Sequence, residues 1–205
     1  GPATMPYAYT YGQTLVFELT IPEAVRPGAK AAATLYINVN GEQTAGYKVQ
    51  LNGGHGTYEQ NLQDSPFPPF ADITYWWEYP TGDGALNQTE KRTFRYEDNR
   101  YEWRSIEDGP ICIHWISGEE QEMISALDIA KSSLWQITDA LHAPAPEEID
   151  IYIYPSAHDL ASAMRLTGYP WVSGVAYPQL GVVLLAIPPT DEAVLAMQRE
   201  IGRAS

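Results

Sequence analysis

Residues 109–141 read GPICIHWISGEEQEMISALDIAKSSLWQITDAL, and the fold turns on how this stretch divides. Up to Ile116 the apolar residues alternate, with Ile111, Ile113 and Trp115 on one side and Cys112, His114 and Ile116 on the other. That is the period of a strand. After Gly118 the period lengthens. Met123, Leu127, Ala130, Leu134, Ile137 and Leu141 recur at steps of four and three, one apolar stripe on a long helix. A strand handing over to an amphipathic helix is the start of an α/β or α+β layer structure.

Downstream the same grammar continues. IDIYIYP (149–155) reads as a buried strand, and Ser156 followed by Asp159 has the form of a capping box that opens a short helix. SGVAYPQLGVVLLAIP (173–188) reads as two strands around a Pro178–Gly181 turn. TDEAVLAMQREIGRAS (190–205) then sets Thr190 as N-cap and Val194, Met197 and Ile201 on one face of a last helix.

Upstream the period is that of strands only. TLVFELT (14–20) turns Leu15, Phe17 and Leu19 to one side, and ATLYINVNGEQTAGYKVQL (33–51) is two alternating runs around Asn40-Gly41, a strong hairpin signal. GTYEQNL, ADITYWWEY and TEKRTFRYE add further strands. In YWWEY, Tyr75, Trp77 and Tyr79 share one face and Trp76 takes the other, which makes Trp76 a candidate aromatic surface for stacking on sugar or peptide. The expected fold class is therefore mixed. An all-β immunoglobulin-like sandwich over 1–97 precedes a small α/β (α+β) subdomain over 98–205, with a polar link between about 96 and 109.

The 205 residues carry a formal net charge of -14, from 26 acidic against 12 basic side chains. This opposes nucleic acid or an anionic membrane as partner, since both require Lys/Arg surfaces. No stretch is long and apolar enough to span a bilayer. Cys112 is the single cysteine, and the expectation is no internal disulfide and no thiolate zinc site, with Cys112 an inert buried thiol. His55, His114, His142 and His158 form no i, i+4 ligand pair, and each reads as structural or solvated. His114, on a strand face with Cys112 and Ile116, has the best claim to more, but the favoured reading is a partly buried histidine satisfied by a partner. There is no Gly-x-Ser-x-Gly elbow, P-loop or dinucleotide fingerprint. The residues alone supply no catalytic apparatus.

The order of TFRYEDNRYEW (93–103), GPICIHWI, a long helix, IDIYIYPSAHDLASA (149–163) and WVSGVAYPQLGVVLLAIPP (171–189) resembles the bacterial peptidase-MA-like family, gluzincin-type zinc metallohydrolases of the cell envelope. The resemblance implies a zincin-like subdomain, incomplete at its C-terminus, in which QREI (198–201) precedes a helix bearing His-Glu-x-x-His. In the simplest register Arg203 and Ala204 stand where the first zinc His and the catalytic Glu would fall. Neither can ligate Zn²⁺ nor act as general base, so the expectation is an inactive fragment with no catalytic or metal residue and no cofactor of its own. Zinc and a peptide or protein substrate are implied only for a full-length parent, in the extracellular space or cell envelope. The resemblance further implies a substrate-pairing edge strand, Ser173, Gly174, Val175, Ala176 and Tyr177. Val182, Leu184, Ala186, Val194 and Ile201 would be left as an uncovered apolar surface through which the chain self-associates. The alternative is an extracellular peptide- or glycan-binding, adhesion-type module with no enzymatic activity.

Overall fold

The computed structural model describes residues 1–168, 174–186 and 191–204. The chain divides into two compact units, Gly1–Asn99 and Arg100–Ser205.

The first unit contains β1 (Tyr7–Thr10), β2 (Thr14–Thr20), β3 (Ala32–Val39), β4 (Thr44–Gln50), β5 (His55–Asn61), β6 (Asp72–Pro80), β7 (Leu86–Gln88) and β8 (Arg92–Arg95). One sheet has the order β1-β2-β5, the other β4-β3-β6-β7, with β8 pairing the first half of β6. The β3–β4 hairpin forms because Asn40 and Gly41 both take positive φ (55° and 71°), the two central positions of a type I′ turn. Alternation then does the sorting. Leu15, Phe17 and Leu19 from one sheet and Leu35, Ile37, Ile73, Tyr75 and Trp77 from the other are buried, and the Phe17 and Tyr75 rings meet at 4.7 Å. The Tyr75 hydroxyl donates to the Met5 carbonyl at 2.7 Å, so its burial leaves no polar atom stranded. The last residues of the unit tie back to β1: the Tyr11 amide donates to Asn99 Oδ1, and Asn99 Nδ2 donates to the Tyr9 carbonyl.

The second unit contains β9 (Arg104–Asp108), β10 (Ile111–Trp115), α1 (Glu120–Leu141), β11 (Ile149–Ile153), α2 (Ala157–Leu166), β12 (Gly174–Tyr177), β13 (Val182–Leu185) and α3 (Asp191–Ala204). Its sheet runs β12-β13-β11-β10-β9. The three inner strands are parallel and both outer strands antiparallel. Ile111, Ile113, Trp115, Ile149, Ile151 and Ile153 bury one sheet face against Met123, Leu127, Ala130 and Leu134 of α1 and Met197 and Ile201 of α3. Ser156 caps α2 as expected: its Oγ accepts from the Asp159 amide at 3.1 Å and donates to the Asp159 carboxylate at 2.6 Å.

The chain is thus a β-rich mixed fold, but three expectations need correction. The polar stretch taken as a link contains β9, which pairs along the whole of β10. Its alternation is masked because four of its five residues are polar. Leu141, placed in the apolar stripe of α1, is exposed, because the helix ends there with His142 in the left-handed conformation. Finally, Val182, Leu184, Ala186 and Ile201 are all buried, so these four of the five expected residues form no uncovered apolar surface. The side chain of Val194 lies outside the described residues.

Candidate functional site

On β6 the odd residues Ile73, Tyr75 and Trp77 point into the core, and the even ones Thr74, Trp76 and Glu78 to the outside. Register fixes what stands beside them. Tyr36 of β3 lies directly across from Trp76, and Gly46 of β4 directly across from Tyr36. The Tyr36 and Trp76 rings stack at 5.4 Å, 17° from parallel. Gly46 makes room for this: a Cβ there would come within 3.2 Å of Tyr36 Cε1. At the other end the Lys91 ammonium sits 4.3 Å from the Trp76 ring centroid, a cation–π contact.

Polar rows flank the pair on both sides. One is Lys48, Thr34, Glu78 and Gln88, and the other is Thr44, Asn38, Thr74 and Thr93. The second row is internally ordered: Asn38 Nδ2 donates to Thr44 Oγ1 at 3.1 Å, and the Thr74 and Thr93 hydroxyls are 2.7 Å apart. These bonds fix rotamers and leave oxygen acceptors facing outward. The arrangement is a stacked, partly buried aromatic pair with Lys91 over the Trp76 ring, in a frame of hydroxyl, amide, carboxylate and ammonium groups. Its exposed aromatic parts can pack on a ligand and its polar rows can hydrogen-bond the ligand's edges, and among the described residues of this face no nucleophile is aligned with a base.

The second unit holds the other places of interest. Among the described residues β12 stands at one end of the sheet order, and Gly174–Tyr177 pairs with β13. Gly174, Ala176 and Tyr177 of the expected edge segment therefore have a sheet-edge backbone; Ser173 lies outside the described residues, as does the Val175 side chain.

The zinc site that the peptidase resemblance implies does not fit Arg203 and Ala204. Arg203 donates to Glu200 Oε1 at 2.6 Å, and Ala204 is buried in the core. Elsewhere Cys112 and His114 of β10 share a sheet face with Asp150 of β11, which is paired in register with Cys112. His114 Nε2 and Asp150 Oδ1 are 2.6 Å apart, and the His114 ring stacks on Tyr152 at 4.3 Å. The reading of His114 as a partnered histidine holds, but Asp150 was missed. The signal was present, since one acid in the apolar run IDIYI, buried at all five positions, must have a partner.

No protein-family model matches the chain, and no curated protein matches it. Among solved structures, the Br derivative of BhCBM56, a carbohydrate-binding module, is 16% identical over 46% of this chain and 94% of its own, with a TM-score of 0.35. A laminaripentaose-producing β-1,3-glucanase from Paenibacillus barengoltzii is 11% identical over 58% of this chain and 27% of its own (TM-score 0.34). A polysaccharide deacetylase from Bacillus cereus is 7% identical over 81% of this chain and 55% of its own (TM-score 0.37). Likeness at this level assigns neither a family nor a function, and the peptidase resemblance gains no support from it.

Proposed function

We propose that the first unit is a non-catalytic glycan-binding module, an immunoglobulin-like β-sandwich that seats a sugar chain on the outer face of β4-β3-β6. The stacked Tyr36–Trp76 pair carries this reading. A pyranose ring presents C–H groups on its faces and hydroxyls around its edge. Its complement is aromatic surface bordered by donors and acceptors, and this face combines a stacked ring pair with polar rows on either side. The net charge of -14 opposes a polyanionic chain and favours a neutral glycan. A ligand of this class is compatible with action at the cell envelope or beyond it.

Affinity electrophoresis against a panel of neutral polysaccharides tests this. Retardation of the wild-type chain, lost in Trp76→Ala and Tyr36→Ala with unchanged melting, is the expected result. Retardation by no polysaccharide, or equal retardation of both variants, would contradict it.

A second reading attaches to β12. The place of β12 at the end of the strand order, among the described residues, favours the zincin-like interpretation of the second unit, in which Gly174–Tyr177 adds an extended peptide as a further strand. Hydrogen exchange at the Val175 and Tyr177 amides, slowed by extended peptides, would support this; exchange unchanged at saturating peptide would remove it.

A further inference from the structure

The geometry points to a zinc site at Cys112, His114 and Asp150, built across the parallel β10–β11 pair and independent of the glycan-binding reading. One donor atom from each residue, sulfur, imidazole nitrogen and carboxylate oxygen, lies within 4.8 Å of the other two. Bond lengths of roughly 2.0–2.3 Å place the ligand atoms of a tetrahedral zinc about 3.3–3.7 Å apart. The widest separation must contract by about 1 Å and the 2.6 Å His114–Asp150 contact must open by a similar amount. Both are within the reach of side-chain torsions, because all three residues stand on hydrogen-bonded strands whose register is fixed.

Donor chemistry selects the ion. A thiolate, an imidazole and one carboxylate suit zinc, whereas magnesium and calcium seek all-oxygen shells. Charge selects it too. Asp150 is buried, and a lone dication there would be costly. One thiolate and one carboxylate cancel the two positive charges, so the filled site is neutral. Binding releases the Cys112 thiol proton to solvent, and His114 coordinates as the neutral ring. Cys112 and His114 are only partly buried, which leaves an entry path and a fourth coordination position for water. Tyr152, stacked on His114 and itself met edge-on by Trp103, holds the imidazole plane.

The test uses the whole chain, reduced, titrated with Co²⁺ alone. We expect a thiolate-to-cobalt charge-transfer band saturating at one equivalent, displaced by Zn²⁺ and absent in Cys112→Ser and His114→Gln. Asp150→Asn should weaken cobalt binding at least tenfold, in keeping with loss of a ligand. A second measurement needs no variant: Zn²⁺ should slow alkylation of wild-type Cys112, and a chelator should restore it. A cobalt spectrum without the charge-transfer band would overturn the assignment, as would a band retained in Cys112→Ser or alkylation indifferent to Zn²⁺.

Discussion

Trp76 and Trp77 are neighbours in the chain with different duties, separated by the alternation of one strand. Trp77 is fully buried, and Trp77→Ala should cost about 3–5 kcal/mol of stability, read as a lowered denaturant midpoint. Trp76→Ala should leave that midpoint within about 0.5 kcal/mol while weakening glycan binding more than tenfold, the loss typical of a truncated anchor residue. Ser156 was identified from spacing alone and is the observed cap; Ser156→Ala should destabilise the second unit by about 1 kcal/mol. Tyr58 adds a pH signature. Burial, and then the neighbouring Tyr47, push its phenol up from 10.0 to about 12. The folded state thus holds the proton more tightly than the unfolded chain. This contribution to stability is fully present below pH 10 and is lost as pH rises towards 12. Tyr58→Phe should flatten that alkaline loss in denaturation curves recorded at successive pH values; an unchanged slope would show that Tyr58 is not its source.

Among the elements, those with strong local chemistry could be read from sequence and those specified by neighbours could not. Asn40-Gly41 dictates its hairpin, and the Met123–Leu134 stripe dictates α1, because each is a local pattern with one structural solution. β9 was not legible, since RSIED is a strand only because β10 offers it an edge. The Tyr36–Trp76 pair was half legible. Alternation turned Trp76 outward, but Tyr36 lies forty residues earlier and only strand register brings them together. The same holds for Asp150 and His114. Gly181 marks the turn between β12 and β13 with φ 62°, and a Cβ there would strike the Glu148 carbonyl oxygen. Gly181→Ala should cost at least ~1–2 kcal/mol, measured by thermal unfolding, whereas the same change at open Gly28 should cost little.

For the whole molecule, charge and ligand chemistry must agree. A chain of net charge -14 that bound through ions would lose affinity steeply with salt. A platform that works by stacking and hydrogen bonding to a neutral glycan should hold its affinity nearly constant between low and physiological ionic strength, as titration calorimetry can read. Locating the ligand separates the outer face of β4-β3-β6 from every other surface of the chain. Oligosaccharide titration followed residue by residue in amide spectra should shift Thr34, Tyr36, Gly46, Thr74, Trp76 and Glu78 together, saturating with one affinity. Shifts gathered on the β1-β2-β5 sheet or on the second unit, with these six unmoved, would contradict it.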